Sequence, residues 1–174
     1  MNLEQYLNWL ADRYAGYFDV ERESVILGHS LSIYAFSNIR CDKYFATKKI
    51  SLGGYENIEH CLVAGHRQQV DSNGFEAFIH LLVKAANELV TPHHEHMSTM
   101  ITGVLVSEKG FVPEIINQSK RFSFGRTYRF GLQGWSQVHL ILVDLAAGQI
   151  HANKKGREVA RSYLMPPSVK TVGR

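Results

Sequence analysis

The chain opens on a helical spacing of apolar side chains. Leu3, Tyr6, Leu7, Leu10 and Tyr14 fall on one face, and Gly16 ends the run. Asn2 precedes it with Gln5 three residues on, the arrangement of a capping box. Over residues 25–37 the period drops to two. Leu27, His29, Leu31, Ile33 and Ala35 share one face, and Gly28, Ser30, Ser32, Tyr34 and Phe36 share the other, which predicts a strand. Residues 44–50 and 58–64 read as two more strands, with Gly53-Gly54 as the turn signal between them. Asp71-Ser72-Asn73 can cap a second helix, whose apolar stripe is Phe75, Phe78, Ile79, Leu82, Ala86 and Leu89. Pro92 stops it, having no amide to donate.

The stretch MSTMITGVLVSE is apolar on both sides, as a strand central in its sheet would be. Residues 111–119 predict a short helix with Pro113 in its first turn. Residues 121–130, 136–145 and 149–153 predict three closing strands, the last two joined by Ala146-Ala147-Gly148. Short links between successive strands favour antiparallel pairing. The expected fold is α+β: a mainly antiparallel sheet of six to seven strands, with two longer helices and one short helix.

Length and composition narrow this only slightly. At 174 residues, 45% apolar and 20% charged, the chain suits one domain, residues 1–165, followed by a disordered tail over 166–174. No apolar run approaches the roughly 20 residues that span a bilayer, so no membrane partner is expected. The acid-containing start, MNLEQYLNWLADRYAG, does not read as a secretory leader. Cys41 and Cys61 form no Cys-x-x-Cys pair and fit two inert thiols in a reducing cytoplasm.

Charge changes the picture more. From Lys120 onward there are ten Lys/Arg against Asp144 and Glu158, a balance of +8 in a chain of net +3, so the preceding part is −5. Such asymmetry points to an anionic partner, or to one half of the domain pairing with the other.

Four patterns carry candidate chemistry. VILGHSLS suggests a nucleophile elbow at Ser30, but the alternation continues through IYAFSNI, and an elbow must turn into a helix. His93, His94 and His96, around Glu95, offer neutral ring nitrogens for a divalent metal. A third ligand could come from His60, His66, His80, His139 or His151. The element order also matches nucleases with an Asp…Glu-x-Lys site, with Asp42 and Glu59 as the acids. Cys61 replaces the lysine, and fold analogy without the site is a weak warrant. Finally, KRFSFGRTYRFGLQGW would line Phe122, Phe124, Arg126, Tyr128 and Phe130 along one face of a strand. The rings would turn to the core and leave a cationic flank wet.

HEHMSTMITGVLVSEKG and FSFGRTYRFGLQGWSQVHLILVDL resemble segments of an uncharacterised bacterial domain family. The resemblance covers most of the chain, implies a cytoplasmic bacterial protein of unknown function, and carries no catalytic residues.

The expectation is a non-enzymatic cytoplasmic binding module. Its basic C-terminal face, Lys120, Arg121, Arg129, Lys154, Lys155, Arg157 and Arg161, would take an anionic ligand, nucleic acid among them. One alternative is a metal-dependent hydrolase with a divalent metal on His93, His94 and His96. Another is a homo-oligomeric structural protein whose aromatic face is the subunit contact.

Overall fold

The computed structural model describes residues 2–44 and 51–164, with the side chains of 41–44 and 51–53 left aside. Helix α1 (Leu3–Tyr14) starts on the capping box. The Asn2 side chain accepts from the Gln5 amide at 2.8 Å, and the Gln5 side chain accepts from the Asn2 amide at 3.2 Å. Strands β1 (Asp19–Ile26) and β2 (His29–Tyr44) then form a hairpin about Leu27 and Gly28, both with positive φ, 52° and 84°. The predicted strand over 25–37 therefore splits. Its first residues end β1, and the alternation holds only from His29 onward. Ser30 lies within β2, exposed and opposite Val25, so no elbow forms there.

Strand β2 continues antiparallel into β3 (Ser51–His66). Gly53-Gly54 sits inside β3 rather than at a turn, and residues 45–50 of the predicted strand 44–50 lie outside the described residues, as does the predicted tail. Strand β1 stops at the level of Phe36 and β4 at that of Glu56, so beyond Arg40 and Glu56 the ends of β2 and β3 project as a two-stranded arm.

Helix α2 (Ser72–Glu88), capped by Asp71, carries the chain back, and β4 (His96–Ser107) pairs parallel with β3. Helix α3 (Pro113–Arg121) makes a second return, and β6 (Trp135–Asp144) pairs parallel with β4. A hairpin cannot join parallel neighbours, so each parallel pair needs its helical crossover. The short strands β5 (Gly125–Thr127) and β7 (Gln149–Ala152) both pair antiparallel with β6, one on each half of the same edge. The fold is α+β, with a seven-stranded mixed sheet in the order β1-β2-β3-β4-β6 and four of its six pairings antiparallel. Strand β4 is central, as its two-sided apolarity requires.

Two cores flank this one sheet. On one face α2 and α3 bury Leu82, Phe78 and Ile115 against Leu62, Ile101, Leu105 and Leu140. Gly103 is necessary there, because a Cβ would meet the Leu82 side chain at 2.3 Å. On the other face α1 and the 3-10 turn Ala160–Tyr163 bury Leu10, Tyr6 and Tyr163 against Ile33, Val63, Val104 and Ile141. No helix among the described residues is long and apolar enough to cross a membrane.

The expected strand over 121–130 is not formed. Helix α3 runs to Arg121, β5 has three residues, and a 3-10 turn follows at Arg129–Gly131. The rings do not face one core. Phe122 and Phe124 pack on the α2 side, Tyr128 hydrogen-bonds Ser136 at 2.8 Å, and Phe130 is fully exposed. Positive φ at Arg129 and Phe130, 44° and 56°, breaks the alternation. The β6 edge leaves little room besides, since its C-terminal half is already taken by β7.

Candidate ligand-binding cleft

Strands β3, β4 and β6 align their side chains in rows. On the α1 side one row is Cys61, Thr102 and His139, and the next, nearer the starts of β4 and β6, is Glu59, Met100 and Gln137. Toward the other end of these strands the same face is wholly apolar, with Val63, Val104, Val106, Ile141 and Val143 under α1. The sheet therefore turns polar where α1 ends. There a cleft of about 450 Å³ opens between the last turn of α1 and the 3-10 turn Ala160–Tyr163. Arg13, Tyr14, Tyr17 and Phe18 form one wall, Val159, Ser162 and Tyr163 the other, and Glu59 the floor.

The walls are fixed by hydrogen bonds rather than by shape alone. The Tyr6 hydroxyl donates to the Tyr163 carbonyl at 2.9 Å, and the hydroxyls of Tyr14 and Tyr163 share a bond of 2.9 Å. Burial holds the hydroxyls of Tyr14 and Tyr163 well above the usual phenol range, so they remain neutral donors and acceptors. Glu59 accepts from Thr102 Oγ1 at 3.3 Å and from the Cys61 thiol at 3.8 Å, and has no ion-pair partner among the described residues. Loss of water raises its carboxyl above the usual range, and the two hydrogen bonds offset this only in part. Cys61 is fully buried and its thiol is pushed up by the same desolvation, which holds it in the neutral form. On β6, Gln137 donates to His139 Nε2 at 2.9 Å. The ring's Nδ1 is buried and meets no hydrogen-bond partner among the described residues. Chemically the cleft offers a desolvated carboxylate beneath aromatic rings, with neutral hydroxyls around it. A carboxylate beneath aromatic rings is the chemistry that attracts a positive charge.

A family model described as a domain of unknown function, DUF8052, matches residues 2–165. The chain belongs to the DUF8052 family. No curated protein and no solved structure matches it. The matched span includes both walls and the floor of the cleft, so the site lies wholly within the DUF8052 domain.

The histidines singled out in the sequence come together in the DUF8052 domain, but as a hydrogen-bonded clamp at the base of the β2–β3 arm. His96 Nδ1 donates to the Gln133 carbonyl at 2.7 Å, and its Nε2 accepts from Thr99 at 2.8 Å. His93 Nδ1 accepts from the Glu95 amide at 3.3 Å, and Nε2 meets Glu56 at 3.1 Å. Arg40 closes the network on Glu95 at 3.0 Å and on Glu56 at 3.7 Å. Both ring nitrogens of His93 and His96 are thus engaged, and only His94 is largely exposed. Among the described residues no group of three or more His, Cys, Asp or Glu has a metal-holding arrangement.

The seven basic residues divide between layers. Lys120 and Arg121 end α3 on one side, and Arg129 lies on the 3-10 turn after β5. Lys154 and Lys155 follow β7, and Arg157 and Arg161 lie on 3-10 turns on the α1 side. Among them Lys155 pairs with Glu158 at 3.9 Å. Sequence reasoning weighed Glu59 only as a nuclease acid and overlooked Tyr14, Thr102 and Tyr163. One signal was present. In the alternation of β3, Glu59 falls in phase with Cys61 and Val63, so a carboxyl stands on an inward face.

Proposed function

We propose that this domain is a binding module for a small organic cation, an amine or guanidinium on an apolar body, seated in the cleft above Glu59. The observation that carries the reading is a half-buried carboxyl with no cationic partner among the described residues, at the floor of a cleft walled by Tyr14, Tyr17, Phe18 and Tyr163. A bound cation supplies the missing charge, and the rings favour it over water. The volume of about 450 Å³ suits a small molecule.

Calorimetric titration with benzylammonium and phenylguanidinium, against neutral benzyl alcohol, tests the reading. The cations bind and the alcohol does not. Glu59→Gln, which keeps the shape and removes the charge, weakens binding by about tenfold or more. Binding is full above the pKa of Glu59 and fades as pH falls through it. Because burial raises that pKa, the loss begins at a higher pH than an ordinary carboxylate would give. Equal affinity for the alcohol, or for the Glu59→Gln variant, overturns the proposal.

A second reading keeps the anionic partner. Lys154, Lys155, Arg157 and Arg161 crowd one short segment after β7, with Glu158 as its lone acid. A single-stranded oligonucleotide in the same titration would then bind at low salt and dissociate as salt rises.

A further inference from the structure

The segment that replaced the expected aromatic strand is a tight, internally bonded loop with its apolar side chains turned outward. The Tyr128 amide donates to the Gly134 carbonyl at 2.9 Å, the Tyr128 carbonyl accepts from Gly131 at 2.9 Å and Gln133 at 3.2 Å, and the His96 ring grips the Gln133 carbonyl. Inside this frame Arg129 and Phe130 both adopt left-handed backbone, which costs a side-chain-bearing residue energy. The result is exposure. Phe130 is bare, Leu132 is 80% exposed, and Met97 and Trp135 are part-exposed beside them. A rigid loop that spends strain to display a phenylalanine marks a contact surface.

On the same chain, α2 and α3 leave an open groove of about 380 Å³, floored by Phe75, Ile79 and Phe122 and rimmed by Glu76 on α2 and Arg121 on α3. Phe130 does not fill it, being fully exposed. The knob sits where β4 and β6 begin. The groove is lined by the first half of α2 and the last residues of α3, and it shares no residue with the knob. The loop is also cationic. Arg126 and Arg129 flank Phe130, and no Asp or Glu occurs between Glu114 and Asp144. On the groove's rim Glu76 offers a carboxylate to a cation, with Arg121 on the opposite rim.

We infer that Phe130 of one copy docks into the α2–α3 groove of a second copy, with Arg129 meeting Glu76. Knob and groove are different surfaces, so the contact is head-to-tail and extends into a ring or chain rather than stopping at a symmetric pair.

Sedimentation velocity over a wide concentration range tests this, because head-to-tail contacts can be split between variants. The unaltered protein forms species larger than a dimer as concentration rises. Phe130→Ser keeps its groove and Ile79→Glu keeps its knob. Each alone is monomeric, association weakened on the order of ten- to hundredfold. Mixed together, they give a one-to-one dimer and nothing larger. Ile79 packs partly on the core, so the exposed rim offers a second route: Glu76→Lys weakens assembly and adding Arg129→Glu restores it. A wild-type protein monomeric throughout overturns the inference, as does a mixture that stays monomeric. Co-sedimentation of the monomer with anionic phospholipid vesicles, lost in Phe130→Ser, would overturn it in favour of a membrane-facing loop.

Discussion

Glu59 and His60 are adjacent on β3 and point to opposite layers, and the same loss of water moves their protons in opposite senses. Burial raises the Glu59 carboxyl and lowers the His60 imidazole to about 4. His60 Nδ1 shares a 2.8 Å bond with the Tyr34 hydroxyl, its ring lies 5.1 Å from that of Phe36, and its Nε2 is buried with no partner among the described residues. In the unfolded chain this histidine takes a proton near 6.5, and in the fold it resists until about 4. Its contribution is therefore fully present above the unfolded value and is lost as pH falls through that window, a span worth about 3 kcal/mol. Urea unfolding from pH 7 down to pH 4 should show this loss in the native chain and a flatter profile in His60→Leu. An identical slope in the variant would remove His60 as the cause.

Among elements, the informative place is the gap between β5 and β7, which share one edge of β6 without meeting. Asn153 fills the gap with its side chain. Its Oδ1 accepts from the amides of Leu140 at 3.1 Å and Gly156 at 2.7 Å, and its Nδ2 donates to the Val138 carbonyl at 3.0 Å. A buried amide thus imitates a missing strand. Asn153→Ala strands three buried backbone groups and should cost about 3 kcal/mol, lowering Tm by about 6–12 °C. Asn153→Asp keeps the acceptor and loses the donor, so it should fall between. A melt that leaves Asn153→Ala at the native Tm would refute the role.

The same edge shows where periodicity stops being legible. Helices α1 and α2 and strands β4, β6 and β7 follow their spacing closely, because burial on defined faces dictates it. The β1–β2 hairpin was hidden because a leucine, not Asn or Asp, takes the left-handed position before Gly28. The rings at 122, 124, 128 and 130 keep a period of two without forming a strand, because two left-handed residues reset the chain direction there. The cleft was unreadable for another reason. Its walls come from residues 13–18 and 159–163 and its floor from Glu59, and only the sheet brings them together.

At the scale of the whole molecule, two hydrophobic cores share a single wall. The α1 core rests on Val63, Val104 and Ile141, and the α2–α3 core on Leu62, Leu105 and Leu140, neighbouring residues of the same three strands. Neither helical layer can leave without baring one face of β3, β4 and β6, so the two should unfold together although they do not touch through the sheet. The chain carries two tryptophans, and they report on separate regions: Trp9 packs against the α1 core, and Trp135 opens β6 beside the exposed loop. Single-tryptophan variants Trp135→Phe and Trp9→Phe should therefore give coincident denaturant transitions by fluorescence. Leu10→Ala in one core and Leu82→Ala in the other should each shift both reporters together, by about 3 kcal/mol for a fully buried leucine. If Leu10→Ala advanced the Trp9 transition and left that of Trp135 in place, the sheet would not couple the layers. The α1 side, cleft included, would then be a separately melting unit.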